Sequence, residues 1–218
     1  MSVRKIKKSY ISCTGYFASY KNKTQVAFES VMERDFYMIL EFDDSVCKYE
    51  EQPLQINYEY FNGRNRKYTP DTLVTYKDCT KKVFEVKYQS EIDNSPELQK
   101  KLELLKSEIK TLHNYDFEIF TDTMIDKVYL DNLKFLYKFV FIPSNDSKTN
   151  MIKTIIDTHH SIKIKEILTE ITPDKVIQLE YIPYLWNYLF HNKSHINLYE
   201  KLTMNTTVSH QGEGYGQN

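Results

Sequence analysis

A chain of 218 residues, 41% hydrophobic and 27% charged, can bury a real core as one large domain or two small ones. A formal net charge of −1 excludes a global basic field, so any contact with a polyanion falls to local clusters or to a partner. Five glycines without a Gly-rich phosphate loop exclude Walker-type and Rossmann-type nucleotide binding.

Cys13, Cys47 and Cys79 are scattered, with no Cys-x-x-Cys spacing. That argues against a disulfide framework or a zinc site and fits a reducing, cytoplasmic setting. There is no apolar run long enough to span a bilayer and no apolar leader, so no membrane role is expected.

In chain order, residues 1–23 carry Arg4, Lys5, Lys7, Lys8, Lys21 and Lys23. They read as a basic arm, either a mobile terminus or a phosphate-contacting segment. Thr24 reads as the N-cap of a helix to Phe42, with an apolar stripe of Phe28, Met32, Phe36 and Ile39. Glu29 and Glu33 form a second row one turn apart at its edge. Glu33 then either reaches into a cleft over a sheet or pairs with Arg34, Arg66 or a lysine on the surface.

Extended runs follow at 46–52 and 54–58, and Asn62-Gly63 signals a hairpin. Arg64, Arg66 and Lys67 lie just beyond that turn, as a phosphate contact or a solvated turn. The next strands are predicted at Tyr68–Tyr76 and Val83–Tyr88. They contain Tyr68-Thr69-Pro70-Asp71 and Val83-Phe84-Glu85-Val86-Lys87. Side chains alternate along a strand, so Glu85 and Lys87 share a face while Phe84, Val86 and Tyr88 enter the opposite layer. If the two runs pair, Asp71 meets Glu85. Two hard oxygen donors and a cation then converge, an arrangement suited to magnesium against a phosphodiester. Carboxylates at strand centres otherwise need hydrogen bonds or a cation to be buried.

Ser95-Pro96 opens a helix whose Leu98, Leu102, Leu105, Ile109 and Leu112 pack on the sheet, with Lys100, Lys101, Lys106 and Lys110 solvated. A buried strand at Phe117–Phe120 and a helix over Asp126–Val140 complete an α/β order that suits a sheet covered on both faces. Pro143–Ser147 reads as a linker. Helices at Met151–Thr158, Lys163–Glu170 and Asp174–Phe190, with weak strands at Ile196–Leu198 and Val208, suggest a small helix-turn-helix-type domain with a two-stranded wing. His159, His160, His191 and His195 show no metal-ligand spacing. The predicted organisation is an arm at 1–23, an α/β domain at 24–142, a second domain at 148–208 and a disordered tail at 209–218.

Several separated stretches together resemble one family. They are Glu29-Ser30-Val31-Met32-Glu33-Arg34-Asp35-Phe36, Leu40-Glu41-Phe42-Asp43 and Tyr49-Glu50-Glu51-Gln52-Pro53. Next come Tyr68-Thr69-Pro70-Asp71, Glu85-Val86-Lys87, Thr121-Asp122 and Leu130-Asp131-Asn132-Leu133-Lys134-Phe135-Leu136-Tyr137. Ile182-Pro183-Tyr184-Leu185-Trp186 and Leu202-Thr203-Met204-Asn205-Thr206 end the series. Their order resembles TnsA, the endonuclease subunit of heteromeric transposases.

The resemblance implies a restriction-endonuclease-like mixed sheet flanked by helices, followed by a winged-helix-like domain. It implies Glu33, Asp71, Glu85 and Lys87 as catalytic residues. Glu33, Asp71, Glu85 and the Val86 carbonyl would hold one or two Mg2+ ions, with Mn2+ able to substitute and Glu33 completing the second position. The implied partners are DNA at the transposon ends, a TnsB-type DDE transposase and a TnsC-type AAA+ ATPase. A free-standing repair or restriction nuclease and a non-catalytic adaptor between transposase and ATPase are the alternative readings.

Overall fold

The computed structural model describes residues 13–60 and 63–210. The start of the basic arm, residues 1–12, and the tail beyond 210 lie outside the described residues. The chain divides into two compact units that meet between Ile125 and Asp126.

The first unit opens with an antiparallel hairpin, β1 (Gly15–Ser19) and β2 (Thr24–Phe28). Gly15 stands opposite Phe28, and a Cβ there would lie 2.8 Å from the Phe28 ring, so only glycine admits that ring. This corrects two expectations. Residues 15–28 are a hairpin, not part of a loose arm followed by a helix. Helix α1 spans Val31–Phe42 with Ser30, not Thr24, as its N-cap. Phe28 is buried from a strand, and Glu29 precedes the helix altogether.

After α1 come β3 (Val46–Glu51), β4 (Ile56–Glu59), β5 (Asn65–Tyr68), β6 (Thr72–Tyr76) and β7 (Lys81–Val86). A short helix α2 (Gln89–Asp93), a long helix α3 (Pro96–His113) and β8 (Asp116–Phe120) follow. Strands β3, β6, β7 and β8 form one mixed sheet in that order, antiparallel except for the parallel β7–β8 pair. A parallel pair needs a long crossover, and α3 supplies it. Ser95 accepts from Leu98 N–H at its start, and Asn114 ends it in the left-handed conformation, which Asn tolerates better than most residues. The single predicted strand at 68–76 is two strands, because Pro70 lacks the N–H a ladder requires.

Helix α1 covers one face of the sheet. There the Phe36 ring lies 5.0 Å from Phe84 and 4.6 Å from Phe120, centroid to centroid. The β4–β5 hairpin and α3 cover the other face, where Ile56, Tyr58, Tyr68, Leu73, Val83, Leu102, Leu105 and Phe117 pack in one apolar cluster. The sheet is thus covered on both sides, as the α/β order predicts.

The second unit holds α4 (Lys127–Tyr137), α5 (Asp146–Thr158), β9 (Ser161–Lys163), α6 (Ile164–Ile171), α7 (Lys175–His191) and β10 (Thr207–Ser209). The order helix, strand, two helices, strand from α5 onward is winged-helix-like, with β9 and β10 paired antiparallel. The wing differs from expectation. Its strands are 161–163 and 207–209, while the predicted strand at Ile196–Leu198 follows a 3-10 turn at Lys193–His195. Ser209, expected in the tail, ends β10 and pairs with Ser161. Helix α4, expected with the nuclease domain, belongs to this unit. Its buried Asn132 explains why: Nδ2 donates to the carbonyls of Leu198 and Glu200, both at 2.7 Å, and Oδ1 accepts from Leu202 N–H at 3.1 Å. The linker expected at 143–147 lies within this unit, and its last two residues already belong to α5. Among the described residues no helix is long and apolar enough to cross a membrane.

Candidate active site

Strands β6 and β7 pair with Thr72 opposite Phe84 and Leu73 opposite Val83. One step further along this register, Asp71 faces Glu85, as the spacing predicts. Asp71 lies in the break between β5 and β6. Its carbonyl accepts from Gln52 N–H at 2.9 Å, at the end of β3. Its Oδ2 accepts from the backbone N–H of Val86 at 2.8 Å. The aspartate is therefore held by backbone on both sides.

Glu85 is buried at 5% exposure. Its two oxygens have different partners: Oε2 accepts from the Tyr68 hydroxyl, and Oε1 pairs with Lys87 Nζ at 3.0 Å. Lys87 lies just past β7. Its N–H donates to the Phe120 carbonyl at 3.0 Å, which continues the β7–β8 ladder. Its ammonium also lies 3.2 Å from the Val86 carbonyl and 3.7 Å from Asp71 Oδ2. Two carboxylate oxygens and one carbonyl thus converge on a single positive centre.

Glu33 reaches the same neighbourhood from α1. It is the third helical residue, and its N–H donates to Ser30 Oγ at 3.1 Å. Its carboxylate accepts from Ser30 Oγ at 2.9 Å and from Glu29 N–H at 2.9 Å. This is a variant of the capping box, in which the glutamate takes the N–H of Glu29, one residue before the cap, rather than that of Ser30 itself. The predicted surface partners Arg34 and Arg66 are engaged elsewhere: Arg34 pairs with Asp35 at 3.0 Å, and the Arg66 guanidinium stacks over Tyr60.

The electrostatics join the four groups. Burial, then the Glu85 charge and more weakly the Glu33 charge, push the Asp71 carboxyl up to about 8, against the pull of Lys87 and the Val86 N–H. Burial works against the Lys87 ammonium, but the charges of Glu85 and Asp71 outweigh it and hold its pKa above the usual lysine value. Burial raises Glu33, opposed by its bonds to Glu29 N–H and Ser30, and by the field of Lys87. Like charges forced together in a desolvated place disfavour ionisation unless a cation joins them.

The donor set fits a small divalent cation. Carboxylate and carbonyl oxygens suit magnesium, and these oxygens already share one cationic nitrogen. Among the described residues no three acidic, histidine or cysteine side chains lie close enough to hold one ion. The chain accordingly offers two carboxylates and a carbonyl at one point, with Glu33 within reach of their field but bound up in its cap. Such a site can hold a cation against a phosphodiester while Lys87 donates hydrogen bonds.

Sequence reasoning missed Tyr68 as a member of this site, although it stands three residues before Asp71. A tyrosine leading into a Pro-Asp turn was the available signal. The aspartate's bond to the Val86 N–H had no side-chain signal at all.

A family model described as TnsA-like endonuclease N terminal matches residues 43–122. A second, described as TnsA endonuclease C terminal, matches residues 125–198. The gap between the two matches, residues 123–124, lies just before the division between the two units at Ile125. No curated protein matches the chain. The paired Asp71 and Glu85 around Lys87 sit inside the first match, and the two matches together span most of the sequence: the chain belongs to the TnsA endonuclease family.

Proposed function

We propose that this protein is the metal-dependent endonuclease subunit of a cut-and-paste transposase. It hydrolyses the strand at the 5′ ends of the transposon, while a TnsB-type DDE transposase acts on the other strand and a TnsC-type AAA+ ATPase regulates the assembly. The observation that carries this reading is the convergence of Asp71 Oδ2, Glu85 Oε1 and the Val86 carbonyl on one cationic centre in a chain of the TnsA family.

Asp71, Glu85 and Val86 would hold Mg2+, or Mn2+ in its place, and Glu33 would serve a second position. The bound ion supplies polarisation of the phosphate and a water of lowered pKa. The remaining work belongs to the chain. The Val86 N–H orients the Asp71 carboxylate. Lys87, always protonated at neutral pH, donates to the attacking water or to a non-bridging phosphate oxygen as charge grows there. Asp71 gives up its proton when a cation arrives, because ion and proton compete for the same oxygens. A net charge of −1 suits a subunit whose DNA contacts are shared with partners.

The test is cleavage of labelled transposon-end DNA with Mg2+, with and without the transposase, by wild type and Asp71→Ala. Cleavage that needs the transposase, is abolished by a chelator and is lost in Asp71→Ala is the expected result. Robust cutting of plain DNA by the protein alone would instead indicate a free-standing nuclease. Intact assembly with no cutting in any mixture would indicate an adaptor.

A further inference from the structure

The two oxygens of Glu85 are not equivalent. Oε1 faces the ammonium of Lys87 at 3.0 Å. Oε2 is bound by the hydroxyl of Tyr68, which ends β5. That tyrosine is well anchored. It is 8% exposed, its ring packs in the apolar cluster with Tyr58, Leu73, Leu102 and Leu105, and Lys101 Nζ sits 5.0 Å above the ring. A rigid ring with one hydroxyl proton to give makes a strut that fixes how the carboxylate turns.

We propose that Tyr68 is a positioning residue that sets the ion preference of this site, by occupying Glu85 Oε2 so that only Oε1 is presented to a cation. The inference rests on the reading of Asp71 and Glu85 as ion ligands. Magnesium is small, keeps near-octahedral geometry and usually takes one oxygen from each carboxylate, whereas calcium is larger and readily takes both. Tying down Oε2 therefore favours magnesium over calcium. Partners that orient a ligand commonly matter tenfold or more for affinity.

The experiment uses the full chain without DNA and titrates MgCl2 and CaCl2 by calorimetry against wild type, Tyr68→Phe and Tyr60→Phe. Tyr60 belongs to the same apolar cluster, but its hydroxyl bonds Glu97 at 2.7 Å, away from the site. In Tyr68→Phe the Mg2+ affinity falls by roughly tenfold, and the ratio of Ca2+ to Mg2+ affinity rises. In Tyr60→Phe neither changes. Unchanged affinities in Tyr68→Phe, or equal losses for both ions, overturn the proposal while leaving the ion-binding reading intact. A wild type that binds neither ion overturns both. Infrared carboxylate bands of the wild type give a readout that needs no variant: a one-oxygen signature with either ion is expected, and a two-oxygen signature overturns the proposal.

Discussion

Two places in the first unit bury carboxylates, and they are built on opposite principles. Glu41, 4% exposed, accepts from the hydroxyls of Ser19 and Tyr49 and from the backbone N–H of Lys21. These three donors are all neutral. The group locks the β1–β2 hairpin to α1 and β3, and Lys21 Nζ adds bonds to the carbonyls of Asp43 and Val46 at 2.8 and 3.0 Å. Asp71 and Glu85 instead face one another, with a single lysine between them. Burying one well-bonded carboxylate is a structural device. Crowding two against each other opposes folding, and it makes sense where a cation is to be bound.

Substitution should separate the two places. On the proposed function, Asp71→Ala or Glu85→Ala would remove an ion ligand worth several kcal/mol in the transition state, so strand cleavage should fall by about 1,000-fold or more. Asp71→Ala should cost little stability at pH 8, because relief of the carboxylate repulsion offsets the bond lost from the Val86 N–H. Glu41→Ala should do the reverse. It strands the Ser19, Tyr49 and Lys21 donors, at roughly 1–3 kcal/mol for each buried group left unpaired. The melting temperature should fall by on the order of 10 °C, while cleavage per folded molecule stays near wild type. A Glu41→Ala protein that melts like wild type, or an Asp71→Ala protein that cuts, would break the comparison.

The same contrast predicts a pH dependence. The Asp71 carboxyl rises from 3.8 to about 8 on folding, so the folded state holds a proton that the unfolded state has released. Its stabilising contribution is complete below pH 3.8 and is lost as pH climbs through about 8. Without divalent ions, the wild-type melting temperature should decline across that range. Asp71→Asn, which cannot titrate, should flatten the decline. Added Mg2+ should flatten it as well, and should release protons into weakly buffered solution when mixed with protein at pH 7. A wild-type profile unchanged by Asp71→Asn would remove the carboxylate repulsion from the account.

Much of this site was legible because its parts are local. The Pro-Asp turn, the Glu-x-Lys alternation and the pairing of two neighbouring strands follow from a period of two and a short connection. The β1–β2 hairpin was not legible in the same way. Phe28 falls in helical phase with Met32, Phe36 and Ile39, and Gly15, the residue opposite Phe28, lies thirteen positions away. The Ser30-x-x-Glu33 spacing would have marked the true start of α1, but the Thr24 signal competed with it. In the second unit β9 is only three residues long, too short for a periodicity, and its partner lies more than forty residues on. The burial of Tyr68 against Glu85 depends on the β4–β5 hairpin folding over the sheet, which no local pattern shows.

The smallest expected effects concern Glu33, whose carboxylate is held in the helix cap. Ser30→Ala removes the hydroxyl that both accepts from Glu33 N–H and donates to its carboxylate. It should cost about 1 kcal/mol, the usual worth of an N-cap, and melting under urea should show it. Glu33→Gln keeps one oxygen to accept from the Glu29 N–H and turns an NH2 donor toward Ser30 Oγ, which can accept it, so its stability should stay within about 0.5 kcal/mol of wild type. If Glu33 serves only the helix cap, Glu33→Gln should cut DNA normally and Ser30→Ala should cost stability alone. If it also serves a second ion, Glu33→Gln should lose cleavage by roughly 100-fold with its fold intact. Ser30→Ala should then lose far less, because a carboxylate freed from its cap can still turn toward the ion.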